Sequence, residues 1–169
     1  MKYIFIFFFL ISFHASSTEN IRFIDQNIIL NNSLAGKSIV NEINKIFDKK
    51  NKDFISEQEH LEVKKKNTLS KKNILNEDEY KKIINDLNKE ISLFQDKKQN
   101  FLKDLQNKQN QAQIKLLEEL NQILADYSKK NEISLILKKE NLIIARSNLD
   151  ITNEILKIID SKLKKINLK

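Results

Sequence analysis

EDEYKKIINDLNKEISLFQDKKQNFLKDLQNKQNQAQIKLLEELNQILADYSKK, residues 77–130, carries the pattern that decides the fold. Tyr80, Ile84, Leu87, Ile91, Phe94, Lys98, Phe101, Leu105, Lys108 and Ala112 step by four and three without a miss. That alternation is the seam of one helix face, although two of its positions are Lys. After Ala112 the phase slips, and Leu116, Leu117, Leu120, Ile123, Leu124 and Tyr127 form a wider apolar face. Asn76 before Glu77, Asp78 and Glu79 reads as a cap and an acidic first turn. The chain has no Pro and one Gly, so the main helix breakers are missing. Such a helix is roughly 80 Å long at 1.5 Å per residue. No core of this chain's size can bury an 80 Å rod, so the helix must pair with another.

The partner available lies upstream. From Ser38 onward Val40, Phe47, Phe54 and Leu61 fall seven apart, which predicts a helix over about 38–64. The positions between them begin apolar at Ile43 and then become Lys50, Glu57 and Lys64. Residues 64–76 break the period and hold Lys64, Lys65, Lys66, Lys71 and Lys72 without an acidic residue. A loop this short lets the two helices lie antiparallel. The expectation is a thin hairpin arm over 38–127 with a lysine-rich tip near 64–76. The wide apolar face of the long helix then lies at the arm's base.

The ends of the chain supply the base. Ile21-Arg22-Phe23-Ile24 reads as a short strand, and 25–33 as one or two helical turns. Ile133-Ser134-Leu135-Ile136-Leu137 and Leu142-Ile143-Ile144-Ala145 predict two more strands joined by a short turn. Asp150 then reads as an N-cap, with Glu154 in the first turn and Ile151, Ile155, Ile159 and Leu163 on one face. The fold class expected is α+β: a small β-body from 18–37 and 128–169, carrying one long antiparallel α-helical hairpin arm per subunit. Three strands of four or five residues make a marginal sheet with open edges. Self-association, with strands from several copies completing one sheet, would remove that liability.

The first residues bound the setting. Lys2 precedes YIFIFFFLISF, residues 3–13, and small polar residues follow, the form of a secretory leader. Cleavage is best placed after Ser17, with Ala15 at the minus-three position. The apolar run is short of the ~20 residues a spanning helix needs. Export would permit disulfides, yet the chain has no Cys, so stability rests on packing or assembly. Removing Lys2 leaves 29 basic against 23 acidic residues, a net charge of +6. Such a balance raises nucleic acid as a partner. Export argues against it, and nearly all the charge is Lys in an Asn- and Ile-rich chain, as an AT-rich coding bias would give.

Enzymatic chemistry finds little material. Ala35-Gly36-Lys37-Ser38 would need a Gly at position 31 to wrap phosphates, and Asn31 stands there. His60 is the one His beyond the leader, and with no Cys neither a His-based metal site nor a Ser-His-Asp triad can be assembled. Glu57, Glu59, Glu62 and the 77–79 acids sit among lysines and read as solvated helix faces. No enzyme, cofactor or metal is expected.

FIDQNIILNNSLAGKS, residues 23–38, gives strand, Asp, a short helical stretch, Ser, then Ala-Gly-Lys. ISLILKKENLIIARSNLDITNEILKIID, residues 133–160, gives strand, turn, strand and Asp-Ile-Thr before a helix. In these two segments, in the arm's layout and length, and in the leader, the chain resembles the OmpH-like periplasmic chaperones, the Skp family. The resemblance covers essentially the whole chain after the leader. It implies a homotrimer in which three arms enclose a cavity, and a body built from strands of all subunits. Phe23, Ile24, Leu135, Leu137, Ile143 and Ile144 are the candidates for that body. The implied function is an ATP-independent periplasmic holdase that keeps unfolded outer-membrane proteins soluble. Phe47, Phe54, Leu61, Phe94 and Phe101 are too bulky and too regular for a charged surface. Some seal the helix pair, and others are candidates to face the client. The tip lysines would add capture of acidic clients, anionic lipid or lipopolysaccharide. Two other readings stay open: an exported adaptor coiled coil for one folded envelope partner, and a coiled coil anchored by residues 3–13.

Overall fold

The structure is a computed structural model and describes residues 19–168; the leader reading of residues 1–17 lies outside them. In chain order it contains β1 (Ile21–Ile24), α1 (Gln26–Asn32), α2 (Leu34–Ser70), α3 (Glu77–Lys130), β2 (Leu135–Lys138) and α4 (Thr152–Lys162). Single 3-10 turns occupy Lys139–Asn141 and Ser147–Leu149. The molecule is mostly helical, with a small sheet and a long hairpin arm.

The α3 bounds follow the sequence pattern. Asn76 caps it by accepting the Glu79 amide at 2.9 Å, and Glu77, Asp78 and Glu79 fill the first turn. At its far end Glu132 takes a positive φ of 53°. The Ile133 amide bonds back to the Ser128 carbonyl at 3.0 Å, and Ile133 is buried, which is a Schellman closure with its apolar contact.

Helix α2 is longer at both ends than the expected 38–64. It starts at Leu34 because the Ser33 hydroxyl accepts the Gly36 amide at 3.0 Å, so Ala35, Gly36 and Lys37 form its first turn. It continues through the lysine run to Ser70. Lys64 pairs with Glu90 on α3 at 2.5 Å and Thr68 is buried, so the seam goes on past the point where apolar residues stop.

The body's core gathers Ile24, Ile29, Ile39, Ile43, Leu116, Leu120, Ile123, Ile155 and Ile159. Ile151, Ile155 and Ile159 bury the predicted face of α4, with Leu163 at its margin. Asp150 lies one place outside the α4 cap residue, Ile151, and its carboxylate still accepts the Thr152 amide at 2.9 Å. The Thr152 hydroxyl donates to Asp150 and accepts the Asp25 amide at 2.8 Å, tying the start of α1 to the start of α4.

The sheet corrects the strand expectation. β1 and β2 are parallel, with Ile21 opposite Leu135 and Phe23 opposite Leu137. Residues 142–145 form no strand; bends carry the chain there, and Ile143 and Ile144 are 100% and 91% exposed. β1 is bonded on both sides: the Asn20 carbonyl accepts the Ser134 amide at 2.9 Å, and the Phe23 carbonyl accepts the Ile151 amide at 3.0 Å. The expected hairpin strand would instead add to the outer edge of β2, which the described residues leave open. No described residue covers Ile143 or Ile144 there, and an uncovered strand of four residues is marginal.

Candidate functional site: the helical arm and the exposed body edge

The arm is the antiparallel pairing of α2 and α3. Its fixed point is aromatic. Phe54, 3% exposed, meets Phe94 edge-on at 6.0 Å and 76°, and Phe101 at 5.5 Å and 63°. Lys50 stands 5.5 Å over the Phe54 ring while pairing with Asp53 at 3.2 Å. The polar positions of the α2 seam are therefore used. Glu57 accepts Lys97 at 2.6 Å, and Lys64 donates to both carboxylate oxygens of Glu90, at 2.5 and 2.7 Å. Leu87 is buried further toward the tip.

Leu61 and Phe94 form the shared floor of two shallow grooves, one on each flank of the arm. One, of about 360 Å³, is walled by Gln58, Glu62, Lys65, Ile91, Gln95 and Lys98. The other, of about 270 Å³, is walled by Glu57, His60, Glu90, Leu93 and Lys97. Each offers an apolar floor framed by charge of both signs, which suits an extended segment with occasional apolar side chains.

The five arm candidates thus part ways. Phe54, Phe94 and Phe101 meet in one cluster, Leu61 is half-buried beside Phe94, and Phe47 is exposed. The buried stripe at the root of α2 runs through Ile39 and Ile43, so Val40 and Phe47, expected on the seam, lie beside it. At the tip, Lys65, Lys66, Lys71 and Lys72 are exposed, whereas Lys64 is held by Glu90. Sequence reasoning missed two neighbours: Leu69, exposed, and Ile74, 79% exposed in the turn. Their signal was present as apolar residues inside the lysine run.

The body candidates divide as well. Phe23 and Ile24 are buried within the single chain. Leu137 is half-buried, and Leu135, Ile143 and Ile144 are exposed. At the arm root two carboxylates are held below their usual range. The Ile28 amide does this for Asp25, helped by Lys139 at 3.3 Å, against a raising effect of burial. Lys165, at 2.7 Å, does it for Glu42. Among the described residues no group of acidic and His side chains is placed to hold a metal, and no helix is long and apolar enough to cross a membrane.

The described residues thus form a small mixed body that carries one long two-helix arm and leaves one edge of its sheet bare. The family follows from comparison. The model of the outer membrane protein (OmpH-like) family matches residues 20–159, and the chain belongs to that family. No curated protein matches the sequence. In fold the chain is similar to a protein from Caulobacter crescentus CB15 described as an OmpH-like outer membrane chaperone. The TM-score is 0.79 at 20% identity, with 91% of each chain covered.

Proposed function

We propose that the protein is an ATP-independent holdase chaperone of the periplasm, working as a homotrimer whose arms enclose unfolded outer-membrane proteins. The observation that carries this reading is the division of the chain. The large apolar core lies in the body and the arm root, yet two helices run far beyond it. That length does nothing for the body's stability, and it presents shallow apolar grooves framed by charge. An unfolded barrel chain alternates apolar and polar side chains, and many weak contacts of this kind hold it without selecting one sequence.

Assembly is supported by the bare Ile143 and Ile144 and the open β2 edge, which a monomer would leave as an aggregation hazard. The exposed tip lysines extend the reading to acidic clients and to anionic lipid or lipopolysaccharide. The exported chain would begin after about Ser17. Native mass spectrometry of residues 18–169 tests the proposal, alone and after a denatured outer-membrane barrel protein is diluted into it. The expected result is a trimer that takes up one client without nucleotide. A monomer or dimer that ignores the client would sink the proposal and leave a partner-specific coiled coil as the working account.

A further inference from the structure

The span matched by the family model ends at residue 159, inside α4. Residues 160–168 continue along the root of the arm. They are tied to α2 at Leu34, Ser38 and Glu42, a stripe with a step of four residues. Asp160 accepts the Leu34 amide at 2.7 Å, a carboxylate placed at the N-terminus of the arm's own helix. The Ser38 hydroxyl accepts the Ile166 amide at 3.3 Å. Glu42 takes the Lys165 ammonium at 2.7 Å. On the other helix Lys162 lies 3.7 Å from Asp126. Ile166, 6% exposed, plugs into the core between these ties.

After α4 the segment has no regular structure; past the Leu163 amide, which closes α4 on the Ile159 carbonyl at 2.7 Å, its course is held by side chains. A tail that only filled the core would need Ile166 and nothing else. These ties are directional, and they end where the body's support of α2 ends. Ile43 is the last α2 residue in the core, and from residue 44 to 53 none is buried. Beyond Ile43 the helix extends about 40 Å, so a tilt of about 10° at the root moves the tip by roughly 7 Å.

We propose that residues 160–168 are a strap that fixes the angle at which the arm leaves the body. By doing so the strap limits how far the arms part for a client, a second step that rests on the holdase reading. The chain has no Cys, so Asn73→Cys at the tip and Asn153→Cys on α4 can carry a spin-label pair. Labelled chains are diluted with excess unlabelled chains, and double electron–electron resonance reads the tip-to-body distance. Two variants are compared with the full chain: one ending at Lys164, and a full-length Ser38→Ala, Glu42→Ala, Asp160→Ala triple variant that keeps Ile166. The full chain should give one narrow peak, and both variants should lose it while circular dichroism stays unchanged. If truncation lowers helicity, the triple variant decides. An unchanged narrow peak in the folded triple variant overturns the strap. The same variants should accept clients larger than the full chain can hold, and an identical size limit overturns the second step. A full chain that holds no client at all would refute the chaperone reading while leaving the distance result intact.

Discussion

Gly36 is the one glycine of the chain, and a close approach explains it. A Cβ built there would stand 1.8 Å from the Leu30 carbonyl oxygen, in the backbone of α1. No side-chain adjustment relieves contact with backbone, so Gly36→Ala must push α1 off α2. The expected loss is about 3 kcal/mol or more, at the upper end of overpacking costs, read as a fall in the urea midpoint. Asp25 makes a second case. Its carboxylate accepts the Ile28 amide at 3.1 Å, and Asp25→Ala should cost about 1 kcal/mol through loss of the cap. Because folding lowers its pKa, the stabilisation is present above the unfolded value and fades as pH falls through the folded one. The wild-type and Asp25→Ala stability curves should therefore converge in acid, and a gap that stays constant below the carboxylate range would contradict this. Glu132 is the converse: a non-glycine residue in the left-handed region, where Glu132→Gly should raise stability by up to about 1 kcal/mol in thermal unfolding.

At the scale of elements the arm is held by few fixed points, and Phe54 is the chief one. Phe54→Ala removes the ring that both Phe94 and Phe101 meet edge-on, and should cost about 3 kcal/mol within the arm. Its neighbouring ion pairs are half-exposed and together replace little of that, at about 0.2–1 kcal/mol each. Proteolysis should then cut between residues 44 and 100 while α4 and the body stay protected; equal protection in the variant would mean the cluster is not what closes the arm. What the sequence made legible follows from the same physics. The α3 bounds were readable because cap, acidic turn and seam agree along one helix. The root of α2 was misplaced because Ser33 caps through its side chain three residues ahead of the amide it holds. Its seam also turns toward Ile39 and Ile43, which join the body's core rather than the arm's two-helix seam. Leu142–Ala145 has the composition of a strand, but composition does not say whether anything covers the strand's face, and Ile143 and Ile144 are left almost fully exposed. The aromatic cluster was foreseen as a set of bulky residues; its membership depended on which way Phe47 and Phe54 face.

For the whole molecule, the proposed work depends on charge at the tip and on assembly at the body. Changing Lys65, Lys66, Lys71 and Lys72 to Gln leaves the Lys64–Glu90 pair in place and removes the exposed positive tip. Client capture should slow at low ionic strength and approach the wild-type rate as salt screens the charge. A rate indifferent to both changes would take the tip out of the mechanism. Assembly is open to a cleaner test. Ile143 and Ile144 are almost fully exposed among the described residues, so replacing both with Asp should alter the fold of one chain by no more than about 0.5 kcal/mol. If neighbouring subunits bury them, each buried Ile contributes about 1.5–3 kcal/mol, and removal from every copy exceeds what a small interface can lose. Analytical ultracentrifugation should then show a monomer with unchanged far-ultraviolet dichroism. A variant that still sediments as the wild type places residues 142–145 outside the interface. If the monomer forms, its aggregation assay carries the sharper meaning. One arm cannot surround a client, so enclosure predicts that holding is lost with the trimer. A monomer that still holds clients would locate the activity in the grooves of a single arm.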